Sequence, residues 1–138
     1  MKFERGSLTI EAAIVLPVLV FTVFSGIELS RLMMTHAGLE RAVASAAREL
    51  KLRVVTGDYG DELLTKIRQR DAILIDPKNV VLDTVTYYQS PQDVIDQVPS
   101  QLASSAFAKY SVNYDFDSLS PWLGDMTLNA AVMVKHEL

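Results

Sequence analysis

Hydrophobic positions crowd the beginning of this chain and then thin into two different rhythms. From Ala12 to Ile27 no residue is charged, and between Ser7 and Ile27 the only charge is Glu11. As a helix that run is about 31 Å long at 1.5 Å per residue, close to the thickness of a bilayer's hydrocarbon core. Beyond Ile27 the pattern becomes amphipathic. Leu29, Met33, Ala37, Val43, Ala47 and Leu50 fall near one stripe, while Arg31, Glu40, Arg41, Arg48 and Glu49 take other faces. One helix is therefore predicted from Ser7 to about Leu52. Pro17 lacks a backbone donor and is expected to kink it locally, with Gly26 as a second soft point. The small-residue run Ala42 to Ala47 permits close approach, and is predicted to pack on another helix or on the chain's own sheet.

The later rhythm is that of strands. Thr56-Gly57-Asp58-Tyr59-Gly60 breaks the helix. Asp61 reads as the N-cap of a short helix from Glu62 to about Gln69, with Leu63, Leu64 and Ile67 inward. Ala72 to Ile75 is short and apolar, and Asp76 to Asn79 is a turn. Val80 to Gln89 is β-branched and aromatic, a strand ended by Ser90-Pro91. Gln92 to about Gln97 reads as a helical turn stopped by Pro99, and Ser100 to Ser105 as a loop. Phe107 to Phe116 alternates, with Ala108, Tyr110, Val112, Tyr114 and Phe116 on one face. Asp117 to Asp125 is a connection, and Met126 to Lys135 is the last strand. The expected fold is α+β: a long N-terminal transmembrane and amphipathic helix, with a small antiparallel sheet packed on its C-terminal half.

Composition narrows the function. The chain has 138 residues, net charge -4 and no cysteine. There is no basic footprint for nucleic acid, and no disulfide can support the fold. Enzyme chemistry has little to stand on. His36 and His136 are a hundred residues apart in sequence, and Gly57 and Gly60 lack the Lys-Ser or Lys-Thr of a phosphate loop. Asp115-x-Asp117 and Asp58-x-x-Asp61-Glu62 miss the calcium-loop spacing and read as solvated loop charges. Neither enzymatic activity nor a cofactor or metal is expected. Trp122, beside Pro121, is expected to cap the small core, the alternative being contact with a partner subunit. Lys2 and Arg5 favour a cytoplasmic N-terminus, although Arg31, Arg41, Arg48, Lys51 and Arg53 beyond the apolar run weaken that bias. No small-x-small site closely follows the run, which argues against an ordinary signal peptide.

Gly6 and Glu11 carry a further signal. A cut after Gly6 would make Ser7 the N-terminus and Glu11 the fifth residue, one helical turn from a free ammonium. This arrangement resembles the processing site of type IV prepilins. The short leader MKFER is similar to that of the tight-adherence (Flp) branch. The run Glu11-Ala-Ala-Ile-Val-Leu-Pro17 resembles the TadE-like minor pseudopilins of that system. Tyr110 to Phe116, Ser120-Pro121-Trp122 and Ala130 to Glu137 look similar to the family's closing strand, proline loop and last strand. Major Flp pilins usually follow the Glu with Tyr, and Ala12 stands there instead.

The resemblance implies a pilin-like organisation: a leader at 1–6, a transmembrane segment at 7–28, an amphipathic continuation at 29–56 and an extracytoplasmic α+β domain at 57–138. It implies cleavage between Gly6 and Ser7 by a prepilin peptidase, subunit alignment through Glu11 and a helix kink at Pro17. The protein would sit in the bacterial inner membrane with its N-terminus in the cytoplasm. It would support assembly of Flp-type (type IVb, Tad) pili for adherence, surface colonisation and biofilm formation. Its partners would be the peptidase, other pilin and pseudopilin subunits, the inner-membrane assembly platform and membrane lipids, with no nucleic acid. The competing expectation is an uncleaved, single-pass anchored module that binds a ligand or regulates an envelope process outside the cytoplasm.

Overall fold

The structure, a computed structural model, describes residues 4–51, 58–70, 75–100 and 106–135. A 48-residue helix, α1 (Glu4–Lys51), holds Pro17 in its interior. Its first half is exposed and apolar, and within it lies an 18-residue window of mean hydropathy 2.2, none of it buried. That segment is long and apolar enough to cross a membrane, as in a single-pass membrane protein.

Helix α2 (Tyr59–Arg68) follows, its N-cap being Asp58, whose side chain accepts the Gly60 N–H at 2.8 Å. Asp61 and Glu62 lie in its first turn and Lys66 and Arg68 in its last, each sign complementing the helix dipole. The expected cap at Asp61 is thus corrected by one turn. Tertiary packing draws the helix start forward. The Tyr59 ring packs at a tilt against Tyr110 with centroids 4.9 Å apart, and its hydroxyl donates to the Ala47 carbonyl at 3.4 Å. The expected break at Thr56-Gly57 and most of the apolar stretch from Ala72 lie outside the described residues.

A 3-10 turn, Pro77–Asn79, leads into strand β1 (Val80–Tyr88). Helix α3 (Pro91–Ile95) starts at a capping box in which Ser90 and Asp93 each accept the other's backbone N–H. Gln97 takes a left-handed conformation, φ 54°, and ends the turn before Pro99. Strands β2 (Phe107–Phe116) and β3 (Met126–Lys135) complete an antiparallel sheet in the order β1-β2-β3. The β2–β3 register runs unbroken from Phe107↔Lys135 to Phe116↔Met126. The β1–β2 register slips between Leu82 and Thr84. Such a bulge bends an edge strand and disturbs its alternation.

The core lies between one face of this sheet and the C-terminal half of α1, with α2 closing one side. Ala108, Tyr110, Val112, Tyr114 and Phe116 are buried from β2, and Leu128, Ala130 and Val134 from β3. They meet Leu39, Ala42, Val43, Ala46, Ala47 and Leu50 of α1 and Leu63 and Ile67 of α2. The fold is α+β.

The stripe read in the sequence holds at Val43, Ala47 and Leu50, which are buried, and fails nearer the apolar segment. Leu29 and Met33 are 54% and 63% exposed, whereas Glu28 and Thr35 are buried. The two polar residues tolerate burial because each is satisfied. Thr35 donates to the Arg31 carbonyl at 2.9 Å, and Glu28 accepts from a loop described below. With those demands met, the period of 3.6 carries Glu28, Thr35, Leu39, Ala42, Ala46 and Leu50 along one side.

Candidate functional site

The sequence points to the N-terminal half of α1, and the structure leaves that half uncovered. Gly6 and Ser7 lie in its first turns. Glu11 is exposed one turn further on, an i,i+4 neighbour of Ser7 along one helix face. Pro17 is followed by Thr22, whose hydroxyl donates back to the Val18 carbonyl at 2.8 Å. A shallow groove is lined by Val23, Gly26, Ile27, Ser30, Arg31 and Met34. A Cβ added at Gly26 would meet nothing within 4 Å, so the groove is open to a neighbouring helix.

Where α1 meets the domain, a polar clasp holds the β2–β3 loop. Glu28 Oε1 accepts the Leu119 backbone N–H at 2.9 Å and a hydrogen bond from Arg31 Nη1 at 3.4 Å. Arg31 also donates to the Asp117 carbonyl at 3.1 Å, and its guanidinium carbon lies 4.7 Å from the centre of the buried Phe116 ring. A cation over an aromatic face adds electrostatic attraction to the packing. Sequence reasoning missed this pairing. Its signal was present, however: an acid and a base three residues apart, just past the apolar run.

Trp122 departs from its expected role. It is half exposed and outside the core, and its ring lies 5.0 Å from that of Phe21 on α1. The clasp at Glu28 directs the loop along the helix.

The other candidate residues have local structural duties. His36 Nε2 is 3.3 Å from the Asn129 carbonyl, and its Nδ1 is 4.0 Å from Glu40. His136 lies outside the described residues. Asp58 caps α2. Asp115 accepts from Thr127 at 3.1 Å, and Asp117 from Asn79 at 3.4 Å. Burial pushes the Tyr59 phenol above its ordinary range. Burial raises Tyr110 further, helped by Tyr87, Tyr59 and Asp58 nearby.

No curated protein and no solved structure matches the chain. The family model described as TadE-like protein matches residues 6–48. That range begins at Gly6, includes Ser7, Glu11, Pro17, Glu28 and Arg31, and ends three residues before the end of α1. The long helix of this chain thus carries the TadE-like match, consistent with a TadE-like protein of the Tad pilus system.

Proposed function

We infer that the chain is a minor pseudopilin of the Flp-type pilus system, made with a leader at 1–6 and cut after Gly6 by a prepilin peptidase. The observation that carries this reading is the coincidence of the family match at 6–48 with an exposed apolar helix in which Gly6 and Glu11 keep the prepilin spacing. The mature helix would span the inner membrane, N-terminus in the cytoplasm, and present the sheet domain on the other side.

Assembly, rather than catalysis, is the role assigned. A carboxylate in an otherwise apolar helix end is expensive to keep ionised unless paired. The Ser7 ammonium of a neighbouring subunit would offset that cost at only one depth. Glu11 would therefore set the axial register between subunits, a gain in specificity more than in stability. The open groove at Gly26 supports lateral packing, since small residues let helix backbones approach closely. The partners on this reading are the peptidase, other pilin subunits and the assembly platform, and the outcome is adherence and biofilm formation.

Peptide mapping of the mature protein tests the reading. A chain beginning at Ser7, and loss of that product in Gly6→Leu, are expected, because a pocket that fits glycine has no room for a larger side chain. An intact Met1 in the membrane-inserted protein would overturn it in favour of an uncleaved anchored module.

A further inference from the structure

The loop between β2 and β3 carries apolar side chains that the fold does not use. Leu119 is 76% exposed and Trp122 is 52% exposed, and Pro121 between them is also exposed. Three of its backbone N–H groups, in contrast, have partners. The Leu119 N–H goes to Glu28 at 2.9 Å, the Ser120 N–H to the Ser118 hydroxyl at 3.1 Å and the Leu123 N–H to the Ser120 carbonyl at 3.1 Å. Pro121 has no N–H to satisfy. Hydrocarbon would leave the remaining polar backbone groups unsatisfied, whereas the headgroup region still offers them water.

The position of the loop is equally informative. Trp122 packs at a tilt against Phe21, which belongs to the exposed apolar part of α1. Phe21 precedes Glu28 by seven residues, roughly 10 Å along the axis at the rise of an α-helix. With Glu28 and Arg31 at the water side of the headgroups, Trp122 falls at the boundary between headgroups and acyl chains. Tryptophan favours that depth, where its ring is apolar and its N–H can meet water or headgroups. The exposed acids Asp117 and Asp125 flank the loop, so anionic lipid is not its complement.

We propose that Leu119 and Trp122 form a second membrane contact, a shallow wedge in the headgroup region of a neutral lipid surface, which fixes the depth and tilt of the sheet domain beside its own anchor. The hydrocarbon edge on this side then falls near Phe24 rather than at Glu28. The proposal rests on the reading that α1 crosses a bilayer.

Trp122 is the sole tryptophan, so its fluorescence reports on the loop alone. The full chain is reconstituted into phosphatidylcholine vesicles carrying a spin label either high on the acyl chain or at its methyl end. Blue-shifted emission, quenched more by the high label than by the deep one and little by aqueous acrylamide, is expected. Emission quenched by acrylamide as in the unfolded chain, with no effect of either label, would overturn the proposal. Shielding from both acrylamide and lipid labels would overturn it too, by placing Trp122 against a second copy of the chain. A Trp122→Phe, Val15→Trp double variant separates the two levels of failure. If its probe is quenched by the deep label while Trp122 escapes both labels, only the loop proposal fails. If neither probe senses lipid, the membrane-crossing reading fails with it.

Discussion

Across 91 residues of sequence, Glu28 and Leu119 are joined by a 2.9 Å hydrogen bond from the Leu119 backbone N–H to a buried carboxylate oxygen. This contact ties the β2–β3 loop to the helix at the point where the apolar segment ends. The fold therefore sits against the exposed apolar part of its own helix and is not simply strung beyond it.

Glu28→Ala would leave that N–H without its acceptor and the Arg31 guanidinium with the Asp117 carbonyl but no carboxylate. A loss of about 1–3 kcal/mol is expected on truncating such a partner. Glu28→Gln keeps an acceptor oxygen and should lose less. Denaturant unfolding of the detergent-solubilised protein measures both, and faster exchange of the Leu119 amide in Glu28→Ala alone would locate the effect.

The run from Ala42 to Ala47 divides by face. Ala42, Val43, Ala46 and Ala47 are buried, while Ala44 is exposed. Ala46→Leu should overpack the core and cost about 1–3 kcal/mol. Ala44→Leu should stay within about 0.5 kcal/mol of the parent. Equal unfolding midpoints for the two variants would contradict the packing of α1 on the sheet.

Alkaline pH should weaken the domain through Tyr110 and Tyr59. Burial raises both phenols in the folded state. A raised folded value means the native state keeps a proton that the unfolded chain loses. The associated stability is complete below about 10, the ordinary tyrosine value, and declines as pH rises above it towards the folded value. Phenolate absorbance from these two residues should thus appear together with unfolding. Tyr110→Phe should flatten the fall of stability above that pH. A Tyr110 signal that titrates near the ordinary value with the fold intact would disprove this.

Glu11→Ala is expected to insert and to be cut, if the peptidase reads mainly Gly6, yet to fail in co-assembly. The measurement is recovery of cross-linked partner pilins with the purified variant. Recovery at the parental level would remove Glu11 from the register-setting role.

Much of this molecule was legible locally. The charge-free run, the strand alternation of Phe107 to Phe116 and the limits of the last strand follow from periodicities that a few neighbouring residues set, and both strands span the expected residues. The spacing of Gly6 and Glu11 is likewise a local feature, on which the proposed processing rests. The sequence placed Val43, Ala47 and Leu50 correctly in the core but could not decide which residues of α1 are buried next to the apolar segment. Sorting by polarity placed Leu29 and Met33 inside, with no place given to Glu28. The tertiary structure reversed this because the acceptor Glu28 provides meets a donor 91 residues away, and a satisfied carboxylate can be buried where an unsatisfied one cannot. The same long-range contact decides where Trp122 lies. Its apolarity is evident from the sequence, but only the loop's attachment to the helix directs the ring to Phe21 and away from the core.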